Sequence, residues 1–171
     1  MGCGVDSTEI INRHYEALYR FAHRMVGNSE AAEDVVQEAF LRMARNGPQG
    51  LDGESARRWL FVVARNLCLS HFRRTIARRE EPLDACPEVP APGPNPSESA
   101  QTAERSRWIA DAVAQLPPPM REVVILREYE GMNYAQIAEI AGCSLGTVRS
   151  RLARAREELG RRLGPLLEEL R

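Results

Sequence analysis

No stretch of about 18 consecutive apolar residues occurs in this 171-residue chain, which excludes a membrane-spanning helix. Lysine is absent: all 23 basic residues are arginine, whose planar fork suits phosphates and base edges, though composition alone assigns no partner. The opening residues MGCGVDSTEI lack a positively charged segment followed by an apolar run, so no secretory or lipoprotein signal is read there. Asp6 stands where myristoylation wants Ser or Thr. The expectation is a cytoplasmic chain whose four cysteines are free thiols in a reducing compartment. Cys68-x-x-His71 lacks the second close pair that a zinc site needs, so no metal is expected. His14, His23 and His71 form no motif with a serine or carboxylate at catalytic spacing, and no glycine-rich phosphate loop exists. Neither a catalytic residue nor a cofactor is expected, and no strand alternation appears anywhere.

The formal net charge is −1, which argues against a general nucleic-acid glue, but its distribution is uneven. Residues 1–54 carry nine acids against five arginines. Arg65, Arg73, Arg74, Arg78 and Arg79 then stand in fifteen residues without an acid, and residues 147–162 hold six arginines against Glu157 and Glu158. Two separated basic patches on a neutral to acidic protein are an electrostatic footprint.

Six prolines between Glu81 and Ala100 preclude a packed element, so a flexible proline-rich linker is predicted there. It divides the chain into two small all-α domains, 7–80 and 101–171, around a linker at 81–100. In the first, Asp6 and Glu9 resemble a capping box, and Ile11, Tyr15, Leu18, Ala22 and Met25 recur at helical steps until Gly27 and Asn28. Ser29 is read as the cap of a second helix with Val35, Val36, Ala39, Phe40 and Met43 inward, closed by Asn46-Gly47-Pro48. A third helix, from about Glu54 to Arg78, turns Trp59, Leu60, Val63 and Leu67 inward. The second domain is read as helices at about 99–116, Met120–Tyr129, Tyr134–Ala141 and 145–163, with prolines suiting a helix start after Leu116.

On the last helix, Val148, Leu152, Ala155, Leu159 and Leu163 form one apolar stripe. Arg149, Ser150, Ala153, Arg154 and Arg156 then point away. With Ile137, Ala138 and Ala141 inward on the helix before it and a tight turn at Gly142, the pair reads as a helix-turn-helix. In that motif the second helix enters the major groove. Gly146 and Thr147 sit where a backbone approaches phosphate. A membrane surface would want Trp or Phe on the apolar face, and an inert surface would mix its charges more evenly.

The second helix presents Asp34, Gln37, Glu38 and Leu41 away from its core stripe, an acidic face that DNA would repel and a protein partner or solvent would accept. The third carries Trp59, then Asn66, Ser70 and His71 beside FRRTIARR. That mixture of aromatic, amide and guanidinium groups suits unstacked single-stranded bases, while core packing accounts equally for Trp59.

Taken together, AEDVVQEAFLRM, RRWLFVVARNLCLSHFRR and LPPPMREVVILREYEGMNYAQIAEIAGCSLGTVRSRLARAR, in this order around a linker, strongly resemble the extracytoplasmic-function (ECF) sigma factors of the sigma-70 family. The resemblance runs from about Asn12 through Leu163. It implies that Asp34, Gln37, Glu38 and Leu41 face the beta-prime coiled coil of RNA polymerase core. It implies that Asn66, Ser70, His71, Arg73 and Arg74 serve the −10 promoter element, with Asn66 at the edge of a flipped-base site. The second domain would dock on the beta flap, with Thr147, Arg149, Ser150, Ala153 and Arg154 at the −35 element. Ala153 is small where a relative can carry an aromatic. An anti-sigma factor, often membrane-bound, is a further implied partner. The competing readings are a helix-turn-helix regulator that acts without polymerase membership and an adaptor with no DNA role.

Overall fold

The computed structural model describes residues 7–48, 53–79 and 100–168, and every element in them is helical. The predicted linker at 81–100 lies outside the described residues except for Ala100, where a helix begins; Asp6 also lies outside. The first unit comprises α1 (Ser7–Val26), α2 (Ser29–Asn46) and α3 (Gly53–Arg79). The second comprises α4 (Ala100–Ala114), α5 (Pro118–Val124), a wide π turn (Ile125–Tyr129), α6 (Tyr134–Ala141) and α7 (Leu145–Glu168).

Helix α1 stops where Gly27 takes a φ of 75°, a left-handed conformation that costs glycine little. The next helix is capped by Asn28, not by Ser29 as the sequence reading has it: Asn28 Oδ1 accepts from the Ala31 N–H at 2.9 Å. Ala32, Val35, Val36 and Ala39 are buried, while Phe40 and Met43 are only half-buried. On α1 the inward face is Leu18, Phe21, Ala22 and Met25, joined by His14, whereas Ile11 and Tyr15 are exposed. Burial depresses the His14 pKa, aided by the nearby Arg57 and Arg13 charges.

The inward face of α3 is also rotated from the predicted one. Ala56, Leu60, Phe61, Ala64 and Cys68 are buried, and Trp59, Val63 and Leu67 are half-buried at its margins. The reason is that α3 packs on two sides, against α1 and α2 and against α6. A single-stripe reading fails for a helix with two buried flanks. Burial pushes the Cys68 thiol up to about 12, so it is an inert core group.

In the second unit, consecutive prolines open α5 at its first turn, where their missing N–H groups are no loss. The predicted single helix to Tyr129 gives way to the π turn, in which Glu130 N–H reaches Ile125 O at 3.2 Å and Met132 N–H reaches Leu126 O at 3.0 Å. Val123, Val124, Ile125 and Leu126 are all buried. Helix α6 begins with a reciprocal capping box: Gln136 N–H donates to Asn133 Oδ1 at 3.0 Å, and Asn133 N–H to Gln136 Oε1 at 2.9 Å. It ends at Gly142, whose φ of 61° makes the tight turn. Ile137, Ile140 and Ala141 face inward, with Ala138 only half-buried. Val148, Leu152 and Ala155 form the buried stripe of α7, while Leu159 and Leu163 of the predicted stripe are only half-buried, and the helix runs past the expected end at Leu163. The buried apolar residues of both units join into one continuous cluster, from Leu18 through Ala155.

Candidate functional site

The helix-turn-helix consists of α6, the Gly142-Cys143-Ser144 turn and α7. Ser144 caps α7, accepting from the Thr147 N–H at 3.1 Å while its hydroxyl meets the Thr147 hydroxyl at 2.9 Å. Arg149, Ser150, Ala153 and Arg154 are exposed, and Thr147 is half-buried. The Ser150 hydroxyl is turned back to its own helix, donating to Thr147 O at 3.0 Å. The remaining arginines are occupied: Arg156 pairs with Glu128 at 3.0 Å, Arg162 with Glu158 at 2.7 Å, Arg161 with Glu158, and Arg151 donates to Cys143 Sγ at 3.8 Å. No described acid pairs with Arg149 or Arg154. Two unpaired guanidiniums on the outer face of the second arm are what a phosphate or base contact requires.

On α2, Asp34, Gln37 and Leu41 are exposed, and Glu38 pairs with Arg42 at 2.7 Å. Leu41, 47% exposed, is a large apolar side chain beside these polar groups. On α3, Asn66, Arg73 and Arg74 are exposed, with Ser70 and His71 half-buried. Arg73 Nη2 donates to Ser70 Oγ at 3.3 Å, and Arg74 Nε to Ser70 O at 3.4 Å. Asn66 lies in the middle of this long helix rather than near a break, and its Oδ1 accepts from Arg65 Nη1 at 3.1 Å.

The structure brings two of these sets together. Asp34 and Glu38 line one groove of about 890 Å³ with His71, Arg74, Leu67 and Phe72. Asn66, Ser70 and Arg73 do not line it. The acidic face of α2 and part of the basic end of α3 therefore oppose each other across one opening, a juxtaposition that separate helical wheels do not reveal.

Sequence reasoning missed a set of charged residues between the units. Glu122, fully buried, accepts from Arg65 Nε at 3.0 Å. Its second carboxylate oxygen has no hydrogen-bond partner. Burial raises its pKa, opposed by the Arg65 and Arg151 charges. Arg57 meets Glu130 at 3.8 Å, and Arg58 meets Glu139 at 2.6 Å. Arg121 donates to the carbonyls of Met25, Ala114 and Leu116, the last at 3.1 Å, with its guanidinium 5.2 Å from the Phe72 ring centre. The available signal was Arg121-Glu122 set directly before VVIL: charges abutting an apolar run that is buried on all sides must be paired.

Among the described residues no group of three His, Cys, Asp or Glu side chains gathers as a metal site, and no helix is long and apolar enough to cross a membrane.

Residues 10–79 match the sigma-70 region 2 family, and residues 106–159 match sigma-70 region 4. The ECF RNA polymerase sigma factor SigL of Mycobacterium tuberculosis is 37% identical over 145 residues, covering 84% of this chain and 80% of SigL. SigE of Mycolicibacterium smegmatis, also an ECF sigma factor, is 36% identical over 155 residues; the match spans 88% of this chain and 59% of that protein. Among solved structures, the sigma factor RpoE of Bartonella quintana, in complex with the anti-sigma factor NepR, superposes with a TM-score of 0.77 at 26% identity. That match covers 93% of this chain and 97% of RpoE. Sigma factors are non-catalytic subunits that give RNA polymerase its promoter specificity. With both family regions present in order on two helical units, the chain belongs to the sigma-70 family as an ECF RNA polymerase sigma factor.

Proposed function

We propose that the chain divides promoter recognition between its units. Residues 7–80 bind core polymerase and the −10 element, residues 81–100 link, and residues 101–171 read the −35 element. The observation that carries this reading is the pair of unpaired arginines, Arg149 and Arg154, on the outer face of a helix-turn-helix preceded by a matched region 2 unit. Thr147, Ser150 and Ala153 complete the −35 face. Asp34, Gln37, Glu38 and Leu41 dock on the beta-prime coiled coil, with the second unit on the beta flap. Asn66, Ser70, His71, Arg73 and Arg74 hold the opened −10 strand. The protein works in the cytoplasm, and an anti-sigma factor is a further partner, supported by the partner in the RpoE complex. Such a factor can hold it at the inner face of the membrane. Run-off transcription with purified core polymerase and genomic fragments tests the whole: promoter-specific transcripts should require this chain. A helix-turn-helix regulator that is not a polymerase subunit would bind DNA yet give none.

Charge reversal of Asp34 and Glu38 to arginine should weaken binding to core polymerase by on the order of tenfold or more, since like-charge juxtaposition at an interface is costly. Circular dichroism should be unchanged, because both side chains reach solvent. Direct titration of labelled protein with core measures it, and an unchanged affinity removes these residues from the interface.

Arg149→Ala and Arg154→Ala separate two kinds of DNA contact. A residue on a base edge should lose about 1–3 kcal/mol of discrimination at one position of the −35 element. A phosphate contact should instead weaken all sequences alike and lower the salt dependence of binding. Binding to matched and singly altered duplexes over a salt series distinguishes them, and no effect from either substitution means the helix faces another way.

A further inference from the structure

We infer that Leu145 is a specificity-determining residue of the −35 interface, one that reads the C5 methyl group of a thymine in the major groove. This rests on the proposed −35 role of the second unit. Leu145 is the first residue of α7 and is 45% exposed. Among the described residues of that unit, the other large apolar side chains so exposed are Ile109 on α4 and Tyr129, whose ring centre lies 4.2 Å from the Arg24 guanidinium. On the described arms of the helix-turn-helix, Leu145 is therefore the one large apolar side chain offered to solvent. An isolated exposed leucine is ordinary on a protein surface; its position here is not.

The backbone around it is held in place. Cys143 N–H donates to Ala138 O at 3.1 Å, Ser144 O accepts from Val148 N–H at 3.1 Å, and Ser144 Oγ accepts from Thr147 N–H at 3.1 Å. Leu145 is thus presented in advance of contact, which spares the cost of ordering it on binding. Gly146 stands next to it. A Cβ built there would meet only Ser144 Oγ, at 3.7 Å, an ordinary contact, and Gly146 takes no positive φ. Neither packing nor backbone conformation within the chain calls for glycine at this position, and glycine weakens a helix relative to alanine. The bare backbone beside Leu145 suits the close approach of a body from outside.

Chemistry selects the group that Leu145 meets. Its side chain has no donor or acceptor for a phosphate or a base heteroatom, and the apolar group that base pairs present in the major groove is the thymine methyl. Leu145, Arg149 and Ala153 follow one another at steps of four, so they run along one side of α7 with about 6 Å of rise between neighbours. At about 3.4 Å per base pair, a helix lying along the groove sets such neighbours about two pairs apart. The row therefore fits a thymine on either strand about two pairs from the position that Arg149 faces, with the early residues of the helix deepest in the groove.

A cycle of two changes tests this. Holoenzyme assembled from core polymerase and the full chain is titrated with a promoter recovered by run-off transcription, each thymine of its −35 element being replaced in turn, on either strand, by deoxyuridine, which lacks only the methyl. Wild type should lose about fourfold in affinity at one such position, the worth of one buried methyl group. Leu145→Ala should lose about as much on the thymine duplex and nothing further on the uracil duplex, because both changes remove the same contact. Should Leu145→Ala fail to fold by circular dichroism, Leu145→Gln, of similar length but polar, takes its place in the cycle. Additive losses, or no loss at any thymine, overturn the inference while promoter-specific transcription leaves the sigma-factor reading standing. A Leu145→Ala loss that is equal on thymine and uracil duplexes at every position assigns the side chain to the sugar-phosphate backbone or to polymerase, and also overturns it. If no promoter-specific transcripts form, the sigma-factor reading fails, and the same cycle on duplexes that the chain itself selects from a random pool decides Leu145. A chain that selects no duplex overturns both.

Discussion

Glu122→Ala should destabilise the folded chain by about 3 kcal/mol, the cost of breaking a buried ion pair from one side. The substitution removes the acceptor for Arg65 Nε and leaves the Arg65 and Arg151 charges without the carboxylate they both face. It also leaves a void where a fully buried side chain stood, in a chain whose two units share one apolar cluster. The midpoint of thermal unfolding should fall by about 6–12 °C. Glu122→Gln keeps an oxygen for Arg65 and sheds the charge, so it should lose far less. The pH dependence has a definite sign. Burial raises the folded-state pKa of Glu122 above its unfolded value, so the folded state holds the proton more tightly. Stability from this group is therefore fully present below the unfolded value and is lost as pH rises through the folded one. Wild type should lose stability relative to Glu122→Gln over that rise from the ordinary carboxylate range. Urea melts of the three proteins across pH measure both effects. A Glu122→Ala protein as stable as wild type would show that the pair contributes nothing.

What made some elements legible and others not is the number of faces each helix buries. The α6 boundaries were readable because they are set by local chemistry: Asn133 and Gln136 close a capping box over three residues, and Gly142 adopts a conformation that suits glycine. The α7 stripe was readable because that helix buries one face and leaves Arg149 and Arg154 outside. Helix α3 defeats the same method. Phe61 packs edge-on against Phe21 of α1, while Arg57, Arg58 and Arg65 turn toward the second unit, so polar residues stand at an interface and Trp59 and Leu67 fall at the margins. Ile11 and Tyr15 fit the periodicity of α1 but remain exposed on the surface, with Tyr15 stacked on Tyr19 and Phe40. Periodicity describes a helix and not the extent of its neighbours. The contact between the units was not legible at all, because its members are charged residues that read singly as solvated surface.

Asn66→Ala should spare binding to core polymerase and slow open-complex formation by between about tenfold and hundredfold, the loss expected if one captured base no longer offsets its unpairing cost. Asn66 is exposed, so its removal creates no cavity, and it lies on α3 away from the groove that Asp34 and Glu38 line. Its one described side-chain partner is Arg65 Nη1, at 3.1 Å on Oδ1. That contact sets an amide and a guanidinium side by side, with Ser70 about one turn and Arg73 about two turns further along the helix. An amide can donate and accept at once, which suits the edge of an extruded base. The bland alternative is that Asn66 only steadies Arg65. In that case Asn66→Ala should leave both melting and base preference as they were. Permanganate reactivity on duplex promoters reports melting, and binding to pre-melted templates carrying each base in turn reports preference. A melting defect rescued by the bubble, together with a changed preference there, places Asn66 at the base. Normal melting with an unchanged preference removes it from the site.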